Sequence, residues 1–572
     1  MKRKWWILLL SFLLVTALLT VTALAEGEAD PAKTNAEIFG VWTLLPPVLA
    51  IALALITKNV LFSLALGAFS GALLLNLTGG NFFASLYHSF FTLTNGVIAT
   101  VIDPWNAGIL LQCFTIMALV AVVTRLGGVK ALALWLTKFA KGPRSTQVVT
   151  WIMGILVFFD DYANSMIVGP VMRPITDHMK ISREKLAFVV DATAAPVAGV
   201  ALISTWIAAE LGCIRAGFDI AGITDLEPYG FFLSTIPFRF YNILMLACVL
   251  ISALLLRDFG KMYKAEYRAR KEGKVLADGA KPMVSLESAA IAPKEDIPHS
   301  VWDAVIPLGT LIIGSVAGFY MNGYTAIMAS NDLSAKAILA GGFSFAGVQE
   351  CMAWADASVV LFEVAVFAFL VTAVLAVCKK KLSLQECFDA WVEGFKAVMI
   401  AIIILTMAWT MSGFIGELGT KYFLVDLVKD WMPVWLVPSV IFVFGSVISF
   451  ATGTSYGTMA ILMPIAIPLA WALAPGEMNM LVATAGAVLT GAIFGDHCSP
   501  ISDTTILSST GAACDHIAHF ETQMQYALAV GGISIVCGFI PAGLGLNPWL
   551  AMALGVAAVY CVLRFAGKNP EE

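Results

Sequence analysis

Charge is what this sequence lacks. Of its 572 residues only 13% are charged, about half the share of a typical soluble chain, while 59% are hydrophobic. A soluble fold of this length needs a charged skin, so that class is excluded. The apolar residues come in runs of about 17–25, long enough to cross a hydrocarbon core as helices. The composition therefore predicts an all-α polytopic membrane protein. A net charge of −5 provides no surplus of Lys and Arg for nucleic acid. The ten cysteines form no C-x-x-C pair and mostly sit in apolar runs, so neither a disulfide frame nor a thiolate metal site is expected. No H-E-x-x-H occurs, which leaves an intramembrane zinc protease without support. No cofactor is implied.

The amino end has a basic start, Lys2-Arg3-Lys4, an apolar stretch Trp5–Leu24, and Ala23-Leu24-Ala25 before Glu26. That order predicts a signal peptide over 1–25, with a retained first helix as the alternative. Either way Glu26–Gly40 is expected outside.

What the chain does have is internal recurrence. Trp42-(x)4-Pro47 returns as Trp302-(x)4-Pro307, and Val60-Leu61-Phe62 as Val360-Leu361-Phe362. Asn164-Ser165 before Pro174 returns as Thr454-Ser455 before Pro464. Ala195-Pro196 and Ser204-Thr205 return as Ser499-Pro500 and Ser508-Ser509. The order is conserved between two halves, 41–256 and 302–543, with a last helix and tail over 544–572. Basic residues orient them. Residues 76–106 contain no Lys or Arg and are expected as an outside loop. Arg125, Lys130, Lys138, Lys141 and Arg144 mark the cytoplasm, and so do Arg173, Lys180, Arg183 and Lys185. The apolar segment between these groups must enter and return, a re-entrant hairpin with its tip at Asp160–Ser165. Helix 185–210 then exits and helix 230–256 re-enters. The linker 257–301, with nine Lys/Arg and seven Asp/Glu, is expected as a cytoplasmic connector and not a domain. Five crossings place the second half upside down, with its own hairpin over 434–474. Inverted-topology repeats of about five transmembrane helices, each with a hairpin and a broken helix, are a transporter architecture.

Four apolar runs are interrupted by small, polar and Pro/Gly residues: 159–165, 191–196, 451–457 and 495–505. Bare backbone in a membrane is tolerated only where protein buries it or it lines a wet cavity, so the four breaks are expected to converge. They hold Asp160, Asp161, Asp191, Asp496 and Asp503 and no Lys or Arg. Clustered intramembrane acids need a cation or protons. Asp, Ser, Thr and Asn oxygens suit a hard ion such as Na+, and nothing here suits a transition metal.

Phe159-Asp160-Asp161-Tyr162-Ala163-Asn164-Ser165, Arg173-Pro174-Ile175-Thr176-Asp177, Gly453-Thr454-Ser455-Tyr456-Gly457-Thr458 and the run Gly495–Thr505 strongly resemble the NhaC-type Na+/H+ antiporter family. The resemblance covers most of 40–545. It implies cation/proton antiport in the bacterial cytoplasmic (inner) membrane within the broader ion-transporter fold. That family also includes malate/lactate exchangers and amino-acid carriers, so the cargo stays open between Na+ alone and a small organic anion or amino acid.

The candidate ion or substrate ligands are Asp160, Asp161, Asn164, Ser165, Asp191, Thr193, Thr454, Ser455, Asp496, Ser499, Asp503 and Thr504, with Na+ assigned to Asp161, Asp191 and Asp496. Each has a plainer reading. Adjacent Asp160 and Asp161 cannot both face one site, so one is expected as ligand and the other as cap or ion-pair partner. Asp191 could cap the next half-helix. The hydroxyls and Asn164 could simply satisfy hairpin backbone. His497 is either a pH sensor or a satisfied core histidine. Arg239 either snorkels, pairs with an acid, or contacts a cargo carboxylate. Glu363, where the other half has Ser63, has an open role. Gly453–Gly457 fits the G-x-S-x-G hydrolase pattern but joins two apolar half-helices, not a strand and a helix. The expected cargo is transported Na+ and H+, the expected partner the lipid bilayer, and a homodimer is compatible with the sequence. A third reading, the membrane subunit of a Na+-pumping decarboxylase, would need a docking surface that the linker hardly offers.

Overall fold

The computed structural model describes residues 31–571 apart from 58, 78–80, 283–293, 295–296, 331–332, 341–343, 429–431 and 501. The expected signal segment, 1–25, lies outside the described residues. Among these the chain is helical throughout, its only strand-like pairings being two isolated bridges, Asp258 with Lys568 and Pro282 with Asp515. Among the described residues ten helices are long and apolar enough to cross a membrane, or eleven if one bent pair is counted as a span.

The first part runs α1 Pro31–Phe39, α2 Leu45–Thr57, α3 Val60–Asn76, α4 Phe82–Ile102, α5 Pro104–Arg125 and α6 Gly128–Leu136. α4 corrects the outside loop expected over 76–106. Its Ser, Thr, His and Asn residues lower its hydropathy below that of a span, which hid it in the sequence. It packs inward through Gly96, where an added Cβ would lie 2.9 Å from the Phe414 ring, and through Thr100, whose hydroxyl is 3.2 Å from that of Thr410.

Next come the elements that build the centre. α7 Pro143–Leu156 and α8 Asp161–His178 are the arms of the first hairpin. α7 has 14 residues, about 21 Å of rise, which is short of a hydrocarbon thickness of about 30 Å. The helix expected over 185–210 is two pieces, α9 Arg183–Ala192 and α10 Thr205–Ala221, with a one-turn helix Ala195–Ala198 between. The helix expected over 230–256 is likewise divided into α11 Pro228–Thr235 and α12 Phe240–Leu255, bent by 48° about the break. α13 Gly260–Tyr267 follows in the linker.

The second part also runs from long helices to a helical hairpin and a broken helix. α14 Trp302–Ala329, α15 Leu333–Ala340, α16 Phe345–Trp354, α17 Ala357–Cys378, α18 Leu384–Glu417 and α19 Thr420–Val428 precede a second helical hairpin, α20 Val437–Thr452 and α21 Ser455–Leu473. Both arms of this hairpin are long enough by composition to count as spans. α22 Met478–His497 and α23 Asp503–Ala512 form a second broken helix, followed by α24 His516–Ile533 and α25 Pro548–Phe565. With ten residues each, α9 and α23 rise about 15 Å, half of a hydrocarbon thickness of about 30 Å.

The linker is more than a connector. Lys185 Nζ lies 2.6 Å from Asp258 Oδ1 and 2.7 Å from Ser252 Oγ, and Tyr526 donates to the same carboxylate at 2.6 Å. Arg268 grips both oxygens of Glu184 at 2.9 Å, and Glu266 accepts from the Ser182 amide and hydroxyl. The start of the linker thus ties the ends of α9 and α12 to the middle of α24. Its far end binds other helices, through Lys294 to Glu386 at 2.6 Å and to the Arg125 carbonyl at 3.0 Å.

Candidate functional site

Every break is capped on its far side. Asp160, Ser204, Thr454 and Ser502 are the N-caps of α8, α10, α21 and α23, each accepting from a backbone amide of the first turn. The sequence therefore alternates a helix end, a short polar segment with a capping residue, and a new helix. Four helix N-termini, each carrying about half a positive charge, consequently meet at the middle of the molecule. The contacts that join them are specific. The Thr205 amide and hydroxyl donate to the Phe159 carbonyl (2.9 Å) and to Asp160 (3.0 Å). Tyr162 donates to Asp503, and the Trp206 and Tyr456 rings lie 4.9 Å apart. Ser449 and Ser455 donate to the Ala492 carbonyl at 2.5 and 3.3 Å, tying the second hairpin to α22.

The expected convergence of the breaks is therefore present, with shifted boundaries. Tyr162–Ser165 belong to α8, and Gly495–His497 still belong to α22. Asp160 is the cap of the adjacent pair, holding the Ala163 amide at 2.6 Å. Asp161 is buried and its Oδ2 has no protein partner. Asn164 donates to the carbonyls of Gly154 (2.7 Å) and Thr193 (2.9 Å), pinning the hairpin to the second break, and its own Oδ1 has no protein partner. Ser165 meets Ser508 at 3.2 Å. Thr193 Oγ1 donates to Val189 O.

On the other side, Asp191 does not cap α10; that role falls to Ser204. Asp191 is fully buried. Its Oδ2 accepts from Thr505 (3.0 Å) and Gln523 (2.5 Å) and faces His519 Nε2 at 3.3 Å, while Oδ1 has no protein partner. Asp496 accepts from Thr504 at 3.1 Å and also has a free Oδ1. Ser499 is buried in the fourth break and its amide bonds the Asp496 carbonyl at 2.9 Å. Asp503 opens α23 and is exposed. His497 is buried against Tyr241 at 2.9 Å. Thr454 caps α21, so it and Ser455 serve their own hairpin and α22 and bond none of the acids.

Arg239 has left the acids of the breaks. Nη1 and Nη2 hold Glu210 at 3.3 and 3.0 Å, Nε donates to Thr235 at 3.0 Å, and both charged side chains are fully buried. Of the three readings for Arg239, the geometry displays pairing with an acid. Glu210 falls at the outer end of the helix expected over 185–210, whereas α10 runs on to Ala221 and buries it beside Arg239. Thr505, His519 and Gln523 were also missed: the last two lie on α24, a helix without a break. No group of three or more His, Cys, Asp or Glu with metal-site geometry occurs among the described residues.

Small residues allow these elements to touch. A Cβ on Gly169 of α8 would lie 2.6 Å from the backbone of Gly511 on α23, and one on Gly511 would lie 2.4 Å from the Ser165 carbonyl. Gly511→Ala is thus expected to push α8 from α23 and to cost about 1–3 kcal/mol by overpacking. A lowered melting temperature of the detergent-purified protein, with loss of transport, is the check; an unchanged Tm would show that the helices do not pack this closely.

Spans, breaks and buried acids define a multi-pass membrane transporter, not an enzyme. A model described as the Na+/H+ antiporter family matches residues 197–543, and the chain belongs to that family. It is 32% identical over 515 residues to a Haemophilus influenzae protein described only as uncharacterised, covering 88% of this chain and 92% of that one. A 138-residue stretch is 31% identical to the malate-2H+/Na+-lactate antiporter of Bacillus subtilis, 24% of this chain and 27% of the relative. The fold is shared with the crystal structure of the Alcanivorax borkumensis YdaH transporter, at a TM-score of 0.52 and 12% identity, covering 81% of this chain and 90% of that one.

Proposed function

We propose that the protein exchanges Na+ for H+ across the bacterial inner membrane by alternating access, with the two halves acting as inverted repeats about the central breaks. The observation that carries this reading is the set of buried carboxylate oxygens without protein partners on Asp161, Asp191 and Asp496. A carboxylate held away from water is costly unless a cation or proton neutralises it. Loading with either ion is then the condition for reorientation, and competition between the two gives exchange. The converging helix N-termini offset part of the negative charge. No bound cofactor takes part, and the lipid bilayer is the partner.

The same N-termini support a second reading, a Na+- or H+-coupled carrier of a small organic anion, because they suit a cargo carboxylate. The malate/lactate relative favours it. Everted vesicles, energised to an acid interior, separate the two. Dissipation of ΔpH by Na+ or Li+ alone is the expected result. A strict requirement for malate, lactate or an amino acid would overturn the first reading in favour of the second.

A further inference from the structure

α24 carries no break and lies outside the segments expected to bind ions, yet one of its side chains reaches the centre. Gln523 is fully buried. Its Nε2 donates to Asp191 Oδ2 at 2.5 Å and to the His497 carbonyl at 3.2 Å. Both partners are pure acceptors, so the amide cannot be turned over without setting oxygen against oxygen. Its orientation is therefore fixed, and Oε1, also buried, has no protein partner. Asn164 on the first hairpin is held in the same manner, both amide hydrogens on carbonyls and Oδ1 left free. Leaving a buried amide oxygen unsatisfied forfeits its hydration without return. A donor-only side chain would brace Asp191 without that cost, so the free oxygen of Gln523 needs an occupant.

We propose that Gln523 Oε1 is a ligand of the transported monovalent cation, in a site shared with Oδ1 of Asp191 and Oδ1 of Asp496. This rests on the Na+/H+ reading above and adds to it a residue that none of the breaks contains. Three oxygens from three helices, α9, α22 and α24, then surround one ion. The donors Thr505 on Asp191 and Thr504 on Asp496 hold the second oxygen of each carboxylate, which directs the free one to the ion. An amide oxygen adds a ligand without adding charge, which suits Na+ or Li+ over a divalent ion. His519, the other α24 side chain on Asp191, offers nitrogen, a poor ligand for a hard cation.

The test is equilibrium binding of 22Na+ to the purified protein, with Li+ as competitor, in wild type, Gln523→Leu, Gln523→Asn and Thr505→Val. Gln523→Leu is expected to raise the half-saturating Na+ concentration about tenfold and to change the Na+/Li+ ratio about fivefold, since the ligand lost is felt differently by ions of different radius. Gln523→Asn keeps the amide but withdraws it by one methylene, and is expected to shift the ratio in the same direction; it serves where the Leu variant folds poorly. Thr505→Val removes a donor to Asp191 and no ligand, so Na+ and Li+ should weaken together. An unchanged Na+/Li+ ratio in both Gln523 variants overturns the proposal while leaving Na+ transport intact. Absence of Na+ binding to the wild type overturns the Na+/H+ reading itself.

Discussion

Asp191→Asn abolishes exchange while the protein still folds: that is the expected result with the largest effect on transport. Asparagine reproduces the shape of the side chain and keeps an oxygen for Thr505 and Gln523, the donors at 3.0 and 2.5 Å. What it removes is the charge, and with it both the attraction for a cation and the capacity to take up a proton. A drop of at least about 100-fold in Na+-dependent ΔpH dissipation is expected, near 2.8 kcal/mol at 1.4 kcal/mol per decade. The same result is expected for Asp161→Asn and Asp496→Asn, each of which has an oxygen without a protein partner. Asp160→Asn should differ. Asparagine caps a helix about as well as aspartate, so the contacts to Ala163 and Thr205 can be kept, and the variant is expected to lose little stability and to spare much of the transport. Full exchange in all three of the first variants would refute the site.

The largest effect on stability is expected at the Glu210–Arg239 pair. Glu210→Leu leaves a buried guanidinium without its partner, and Arg239→Met leaves a buried carboxylate. Each single change is expected to cost about 3–5 kcal/mol. The double variant should recover most of that, because two apolar groups of similar volume need no compensation. Detergent Tm values for the four proteins form the cycle; equal losses in the double and the sum of singles would deny the coupling. The folded double variant also decides the place of Arg239 in transport. Retained Na+ exchange removes it from the cargo site, whereas a folded protein that no longer carries an organic anion puts it there.

The breaks were legible in the sequence because the signal is local: Pro, Gly and capping hydroxyls interrupt an apolar run, and each mark falls within a few residues of the true helix end. Asp160, Asp161, Asp191 and Asp496 stand out in the sequence for the same reason. What local pattern cannot carry is a partner elsewhere in the chain. Glu210 and Arg239 are 29 positions apart, and nothing near either announces the other. Gln523 sits in a continuous helix among Thr522, Met524 and Gln525, where an amide looks like surface polarity. α4 failed to register as a helix because its Ser89, Thr92, Asn95 and Thr100 break up the apolar run that was the criterion. Chain order placed Arg239 inside a helix; the structure puts it at the bend.

The polar seams at the centre join opposite ends of the polypeptide. Tyr162 meets Asp503, Ser165 meets Ser508, and Thr505 meets Asp191, each pair more than 300 positions apart. Neither half thus owns a finished site. If the chain were divided at the linker, each fragment would carry carboxylates whose donors reside on the other. During synthesis Asp191 likewise waits in the bilayer without its donors until α23 and α24 have been inserted, so the site is completed only when most of the chain has been made.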